Sequence, residues 1–297
     1  EPTFYVRGLQ SLSSSSPLVL VDGLERDMSL VSPEEVESVS ILKDAAAVAL
    51  YGYKGINGAI LITTKRGKYH SREIKFTYDH VINFQSRRPD FVNAATYAEA
   101  VNEARGYEGL DVRYTPLEIH AFRYGRVKGL SDRINVQLPY FYPNVDWMDL
   151  LLRKGSWQHR VNLNLSGGGS TARYYASISY LDEEGMYNTD KALKDDYNTN
   201  ANYRRYNYRL NTDIDITKTT LLKLGVSGWL SKRNSPGLGD ADVWGELFGY
   251  TAIRTPLLYS NGRVPAVGTG NKTNPWVAAT QTGFNENWEN VIQTNIT

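Results

Sequence analysis

Residues 17–68, PLVLVDGLERDMSLVSPEEVESVSILKDAAAVALYGYKGINGAILITTKRGK, decide the fold of the first part of the chain. This stretch contains three short apolar runs of strand length, each bounded by Gly, Pro or charged residues. The runs are Leu18–Val21, Val36–Leu42 and Ala59–Thr64. Between the last two, the sequence predicts a short helix that Asp44 caps and that Gly52 ends in a left-handed turn. The stretch therefore predicts a compact α+β unit with glycines at its corners.

The same residues resemble the plug domain of TonB-dependent outer-membrane transporters. The resemblance rests on VESVSILKDAAAVALYGYKGINGAILITTKRG at 36–67, and PLVLVDG at 17–23 is similar to the SusC/RagA branch of that family. FYVRG at 4–8 matches the family's (I/V)RG strand. The resemblance assigns structural or gating roles to the plug-signature residues Arg7, Gly8, Asp22, Gly23, Lys43, Asp44, Tyr51, Gly52, Gly55, Asn57 and Gly58. It also implies a buried polar network of Arg7, Asp22, Lys43 and Asp44, although Lys43 fits an ordinary surface position as well.

The composition excludes several functional classes. The chain has 33 Lys and Arg against 32 Asp and Glu, so its net charge of +1 gives no electrostatic case for nucleic-acid binding. It contains no cysteine, which excludes thiol catalysis, disulfides and cysteine metal sites. The four histidines, His70, His80, His120 and His159, lack a metal-binding spacing, and no hydrolase motif is present. We therefore expect no metal site, no cofactor and no enzymatic activity.

From Arg72 onward, apolar and polar residues alternate over long stretches. This alternation predicts six strands of a sheet with unlike faces, at about 74–85, 161–166, 174–180, 206–216, 222–231 and 288–297. The mean hydropathy is negative, but the strands of a membrane barrel also average out as polar. A soluble sheet with one wet face gives the same alternation, so the alternation leaves both cases open.

The lengths of the connections between these strands discriminate between the two cases. They are long at about 87–157, short at 167–171, medium at 187–199, short at 217–219 and long at about 235–287. Outer-membrane barrels have short periplasmic turns and longer extracellular loops. The regular alternation of short and longer connections therefore favours consecutive strands of a membrane barrel.

The longer connections contain helices of their own. Asn93 caps a predicted helix over about 94–105 that ends at Gly106, and Thr115 opens a capping box for a second helix that ends near Gly125. Further predicted elements are a helix at 146–153 closed by Gly155, a helix at 240–253, a turn at Asn261–Gly262 between two extended pieces, and a helix or turn opened by Asn274. Weak candidates for substrate contact in the last connection are Trp244, Tyr259 and Trp276, for which packing within the loop is the favoured explanation.

These observations predict a membrane β-barrel with an N-terminal α+β plug domain. Residues 1–68 are expected to form the plug domain, with its N-terminal portion missing, and residues 69–297 the first part of the barrel. In the family that this chain resembles, the barrel closes with about 22 strands. Lipid does not tolerate open strand edges. We therefore expect the chain to be part of a longer polypeptide, whose energy-coupling TonB box would precede these residues.

The resemblance implies TonB-dependent import of an oligosaccharide or a peptide across the outer membrane of a Bacteroidota-like Gram-negative cell. Its implied partners are outer-membrane lipid, a SusD-like lipoprotein at the extracellular face, and the TonB complex, which would act through a segment upstream of the plug. The alternative is a soluble all-β glycan-binding module. Such a module explains the 21 tyrosines and the alternation, but not residues 36–67. A passive porin is disfavoured because a porin needs no plug.

Overall fold

The computed structural model describes residues 16–28, 31–43, 45–193, 197–265 and 274–297. Within these residues, four short strands form a small sheet in the order β2-β1-β4-β3. The strands are β1 (Leu18–Val21), β2 (Leu24–Glu25), β3 (Val36–Leu42) and β4 (Ala59–Thr64). Strand β1 runs parallel to β4, whereas β2 and β3 are antiparallel to their neighbours. The three predicted apolar runs are thus confirmed as strands, and β2 is an addition that follows the turn at Asp22–Gly23.

The small sheet has apolar contacts on both of its faces. One cluster joins Leu18 and Leu20 to Ala47 of helix α1 (Ala45–Tyr51) and to Ala59. The other cluster consists of Val21, Ile60 and Ile62. The apolar and β-branched residues of β1 and β4 are therefore buried inside this unit, which gives the small sheet a core of its own.

Six long strands form a large antiparallel sheet in simple sequential order, from β5 at one edge to β10 at the other. The strands are β5 (Arg72–Phe84), β6 (Gly155–Gly168), β7 (Ala172–Glu183), β8 (Tyr203–Asp215), β9 (Leu221–Pro236) and β10 (Phe284–Ile296). The connections at 169–171 and 216–220 are short, and the other three are longer. The predicted strand number and the predicted alternation of connection lengths are both confirmed.

The large sheet distributes its polar and apolar residues over its two faces in the opposite way to a soluble protein. The face that contacts the small sheet, hereafter the inner face, buries the polar residues Asn162, Asn164, Ser177, Ser179, Arg209, Asn211 and Asp213. The opposite, outer face exposes large apolar side chains: Phe76 is 66% exposed and Ile178 is 62% exposed. A soluble sheet buries its apolar face and exposes its polar one. Among the described residues, no helix has the length and apolarity that a membrane span requires.

The longer connections fold into a layer of helices. These are α2 (Ala94–Tyr107), α3 (Pro116–Tyr124), α4 (Asp132–Asn135), α5 (Leu138–Phe141), α6 (Trp147–Leu151), α7 (Asp240–Gly249) and α8 (Pro275–Thr280). Three predicted caps are confirmed: Asn93 and Asn274 accept from backbone N–H groups, and Thr115 forms a full capping box with Glu118. The predicted cap at Asp44 lies outside the described residues. A buried cluster that includes Trp147, Leu151 and Leu247 joins α6, α7 and α8.

Several predicted boundaries in this layer are wrong. Helix α2 continues through Gly106, and α7 stops at Gly249, so that Ile253 lies beyond its end. Helix α6 is shorter than predicted, and Gly155 begins β6 instead of closing the helix. The turn at Asn261–Gly262 is present, with Gly262 at φ +77°, but the extended pieces beside it are not strands in the part of the chain that the structure describes.

Candidate functional site

A buried ion pair joins the small sheet to the inner face of the large sheet. Arg209 on β8 is 4% exposed, and its Nε donates to Oε2 of Glu35 at 2.8 Å. Glu35 ends a short 3-10 turn that Pro33 opens, and it is 2% exposed. The same guanidinium lies 3.9 Å from a carboxylate oxygen of Asp22. Two carboxylates of the small sheet therefore share one arginine of the large sheet.

A second cation lies beside this group. Burial lowers the pKa of Arg26, the positive charge of Arg209 lowers it further, and Asp22 acts in the opposite direction. Arg26 is therefore influenced by both the positive charge of Arg209 and the negative charge of Asp22. The other carboxylate oxygen of Glu35, Oε1, is buried and has no hydrogen-bond partner within the described ranges. An orphaned buried acceptor of this kind weakens the interface.

Asp22 connects the turn after β1 to the end of β4. Its backbone has φ +50°, in the left-handed region that Asp tolerates better than most residues. Its carboxylate accepts from the Thr64 backbone N–H at 2.9 Å and from the Thr64 hydroxyl at 2.6 Å. Asn211 of β8 donates to the Thr64 hydroxyl at 3.0 Å and to the Lys65 carbonyl oxygen at 2.9 Å. Hydrogen bonds therefore run without a break from the small sheet to the large one.

A second ionic cluster holds the segment between the two sheets. Asp213 is 2% exposed and pairs with Arg66 and with Arg173, whose Nε lies 2.9 Å from Asp213 Oδ2. The Tyr69 hydroxyl donates to Asp215 at 2.6 Å, and this hydrogen bond raises the pKa of Tyr69. The segment that leaves β4 is therefore fixed to the large sheet near its short connections.

Gly67 lets this segment approach the sheet closely. A Cβ on Gly67 would lie 2.4 Å from the carbonyl oxygens of Gly167 and Tyr174, which is closer than non-bonded atoms allow. Both neighbours are backbone atoms that cannot rotate away. Glycine is therefore required at this point of close approach.

An open basin of about 640 Å³ lies on the inner face, near the ends of the strands that carry the longer connections. Its wall consists of residues of β7 to β10 and of the connection before β8, and Asp27 of the 24–28 segment contributes from the small sheet. The charged and aromatic residues of the basin are Asp27, Glu183, Tyr203, Arg205, Trp229, Arg233 and Glu289. The Arg205 guanidinium lies 4.8 Å from the centre of the Trp229 ring. The basin is therefore polar, of mixed charge, and bounded on one side by the small sheet.

The comparisons with known proteins agree with this architecture. Residues 1–59 match the family model described as TonB-dependent Receptor Plug Domain. A TonB-dependent receptor of Formosa agariphila is 30% identical over 244 residues, which cover 82% of this chain and 20% of that protein. TonB-dependent receptor SusC of Bacteroides thetaiotaomicron is 28% identical over 220 residues, which cover 69% of this chain and 18% of that protein.

The fold is similar to that of a solved transporter. The structure of the RagAB peptide importer in the "closed-closed" state matches with a TM-score of 0.60 at 22% identity, over 89% of this chain and 31% of that chain. The chain belongs to the SusC/RagA-like TonB-dependent transporters. Its small sheet is part of the plug, and its large sheet is part of the barrel wall. The chain spans about a fifth of the length of the curated relatives it matches, so the closure with 22 strands stays a prediction.

Of the predicted plug-signature residues, Asp22 is the one that the structure places in the network at the interface. Lys43 is exposed at the end of β3, in agreement with the ordinary surface position that the sequence also allowed. Arg7, Gly8 and Asp44 lie outside the described residues, so the predicted network stays a prediction for Arg7 and Asp44.

The other plug-signature residues shape the plug itself. Tyr51 packs on the cluster around Ala47, and Asn57 donates to the Ser16 carbonyl oxygen at 3.4 Å. Three glycines take the left-handed backbone that their turns require, at φ +84° for Gly23, +60° for Gly52 and +86° for Gly58. A Cβ on Gly55 would lie 2.4 Å from the Ala47 carbonyl oxygen.

Sequence reasoning missed most of the interface. The missed residues are Glu35, Thr64, Arg66, Arg209, Asn211 and Asp213. The one available signal was that Arg209, Asn211 and Asp213 alternate on the polar face of a predicted strand, and this signal does not say which of them meets the plug.

The predicted aromatic candidates lie in the layer of connections, away from the basin. Trp244 stacks on Phe248 with ring centres 5.8 Å apart and is 37% exposed. Tyr259 is 44% exposed. Trp276 is partly buried against the cluster that contains Trp147, in agreement with loop packing. Substrate contact by these residues stays a prediction.

Two of the four histidines are closer together in the structure than their spacing in the sequence indicated. His80 and His159 lie opposite each other on β5 and β6, and their Nδ1 atoms are 3.1 Å apart on the outer face. The Tyr78 hydroxyl lies 2.9 Å from the same His159 nitrogen. In the ranges that the structure describes, no three His, Cys, Asp or Glu side chains are arranged to hold a metal ion.

Proposed function

We propose that this chain supplies plug and first barrel strands to an energy-coupled importer of an oligosaccharide or peptide nutrient. The observation that carries the proposal is the buried polar interface between plug and wall, centred on Arg209 and Glu35. An apolar interface would lose about 25 cal/mol for each Å² exposed to water when the plug moves. When a hydrogen-bonded interface separates, water replaces the partner in each hydrogen bond, at a net cost of about 0.5–1.5 kcal/mol for each bond. Such an interface suits a plug that must leave the wall and return to it.

We propose the outer membrane as the location. On β8, the outer face is uncharged from Tyr206 to Ile214, and Arg204 pairs with Asp182 just beyond this segment. The eight residue steps from Tyr206 to Ile214 rise about 26 Å along the strand, or about 20 Å along the membrane normal at a tilt of ~40°. An outer-membrane barrel carries an apolar band of about 25 Å, bordered by aromatic residues. Tyr180, Tyr206 and Trp288 occupy such border positions on the outer face.

The proposed partner proteins contact the transporter at the two opposite ends of the barrel wall. We propose that a SusD-like lipoprotein covers the layer of helices formed by the longer connections, and that the TonB complex acts on the plug from the opposite side. SusC of Bacteroides thetaiotaomicron and the RagAB peptide importer are relatives whose names support such a system. The importer moves its substrate without making or breaking a covalent bond, so we propose no enzymatic activity. A soluble glycan-binding module is disfavoured because it would expose its polar face.

The test is deletion of the gene that encodes this chain, with its full reading frame restored from a plasmid as the control. Uptake is measured with a panel of fluorescently labelled oligosaccharides and peptides, in cells with and without a functional TonB complex. We expect the deletion strain and the TonB-deficient strain to lose uptake of the same labelled nutrient. Unchanged uptake of every labelled compound in the deletion strain would refute the proposal.

A further inference from the structure

A half-open cavity of about 160 Å³, hereafter the interface cavity, lies where the plug meets the inner face of the large sheet. Residues 31–33 of the plug cover one side of it. Two neighbouring rows of the strand register on β6, β7 and β8 form the other side: Arg160, Leu181 and Arg205 in one row, and Asn162, Ser179 and Asn207 in the next. Arg160 and Arg205 are therefore two strand spacings apart, about 9.5 Å, with the cavity between them.

The charged groups that line the interface cavity are both positive. They are the guanidiniums of Arg160 and Arg205, and no Asp or Glu among the described residues lines it. Arg205 is already engaged, since its Nε donates to the Asn207 side chain at 2.7 Å and its guanidinium covers the Trp229 ring. Arg160 has one carboxylate within 4.0 Å in the described part of the chain, Glu34 of the plug at 3.8 Å. An ion pair of this length is weak, so Arg160 retains donors for another acceptor.

Asn162 supplies an independent observation. Its side chain is 1% exposed, and its Nδ2 has no hydrogen-bond partner within the described ranges. A buried donor without a partner is costly, and native proteins pair such groups with protein, with water or with a bound ion. The amide of Asn207 in the same row differs, because it donates to the Ser179 hydroxyl at 2.9 Å. The interface cavity thus combines an unpaired buried donor with two positive charges.

We propose that the interface cavity binds one small anion, a halide or a carboxylate group, through Arg160 and the Asn162 Nδ2, beside the positive charge of Arg205. Arginine forms strong charge-assisted hydrogen bonds with such anions, and a space that is partly closed to water strengthens their attraction. The anion comes either from the medium or from a carboxylate of a transported substrate. The inference does not depend on the proposed import function, because an inorganic anion satisfies the same donors.

The site also links anion binding to a contact between plug and wall. Glu34 of the plug and the bound anion share Arg160, and their negative charges repel each other. The anion and Glu34 therefore compete for this arginine, so that each weakens the binding of the other by the same factor.

Anomalous X-ray scattering from bromide tests the inference. Crystals of the full-length transporter are soaked in a series of sodium bromide concentrations, and the anomalous peak gives the occupancy of the interface cavity. We expect one bromide beside Arg160 and Asn162. Arg160→Gln should raise the bromide concentration for half occupancy about tenfold, since hydrogen bonds to charged groups carry such a difference. Arg153→Gln is the matched control, because Arg153 is exposed to a similar extent, 34% against 40%, and pairs with Glu184 outside the cavity.

Two further variants change the site in opposite directions. Glu34→Gln removes the competing carboxylate and should lower the bromide concentration for half occupancy. Asn162→Asp keeps the shape of the side chain but replaces the donor by a carboxylate, and it should remove the bromide peak. Water alone in the wild-type cavity at every bromide concentration, or the same half-occupancy concentration for Arg160→Gln and the wild type, would overturn the inference.

Competition identifies the source of the anion. Trialanine with a free carboxyl terminus, or its amidated form, is added to the bromide soak. Loss of the peak with the free carboxylate alone assigns the site to a substrate carboxylate, and a peak that neither peptide changes assigns it to an inorganic anion. Loss of the peak with both peptides would contradict an anion site. Uptake by the deletion strain is measured separately, so this inference and the proposed function fail independently.

Discussion

Replacing Arg209 by Met should weaken the attachment of the plug to the barrel wall. The substitution keeps most of the side-chain volume but leaves Glu35 and Asp22 buried without their shared counter-charge. Removal of one partner of a buried ion pair costs about 3–5 kcal/mol. At 1.4 kcal/mol for each factor of ten, the ratio of displaced to seated plug should rise by about two to three and a half orders of magnitude.

The matched control is Arg204→Met, which removes the same residue type from the same strand. The Arg204 side chain lies on the outer face, is 52% exposed and pairs with Asp182. An exposed ion pair of this kind contributes about 0–1 kcal/mol. The readout is entry of a large hydrophilic antibiotic such as vancomycin into cells that produce the full-length transporter. Heat-modifiable migration on a gel confirms that each variant barrel has folded.

We expect Arg209→Met to sensitise the cells and Arg204→Met to leave them unchanged. Equal sensitivity of the two variants would refute the argument that the buried pair holds the plug. The double variant Glu35→Met/Arg209→Met provides a further check, because replacing both partners of a buried pair by apolar residues is often neutral. Its permeability should return towards that of the wild type.

Three further predictions concern single positions. Gly67→Ala should lower the yield of folded transporter, because its Cβ would meet two backbone oxygens at 2.4 Å; Gly169→Ala, with open space around it, is the control, and equal yields of the two variants would contradict the reasoning. Asp22→Ala should leave the Thr64 N–H unpaired at a cost of about 1–3 kcal/mol, seen as faster proteolysis of the plug; Asp22→Asn should be milder, and equal effects would argue against the hydrogen bonds. Thr115→Ala should destabilise α3 by about 1 kcal/mol and speed hydrogen exchange in 116–124 alone, so faster exchange across the barrel wall would contradict a local role.

The features that the sequence predicted are those that depend on neighbouring residues. The alternation around Tyr206 and Leu210 specifies a strand with two faces, and the residues Thr115 and Glu118 specify a helix start, because each pattern acts over a few residues. Gly52 follows the same logic, since a left-handed residue is needed where α1 ends. Helix ends were predicted less well, as α7 shows: Tyr250, the residue just after its end, is buried in the same cluster as Leu247, and such long-range packing cannot be read from neighbouring residues.

The interface between plug and wall depends on distant residues, which is why the sequence did not reveal it. The Asn211–Thr64 hydrogen bond joins residues 147 positions apart, and the Arg209–Glu35 pair joins residues 174 apart. Which inner-face residue meets the plug depends on the curvature of the wall and on the register of four strands. The His80–His159 contact has the same origin, because the register of β5 and β6 is set across a connection of about 70 residues.

The distribution of polar and apolar contacts indicates how the plug of the proposed importer moves. Its internal contacts, such as Val21 with Ile60 and Ile62, are apolar, whereas its contacts with the wall are ionic or hydrogen-bonded. Water can replace the contacts with the wall but not the internal ones, so an applied force separates the plug from the wall before it opens the plug's own core. The segment at Gly67 is the exception, because Asp213 of the wall pairs with its Arg66 and two backbone oxygens of the wall enclose Gly67. We therefore expect movement to begin where Asp22 and Glu35 meet Arg209, with the segment at Gly67 as the fixed end.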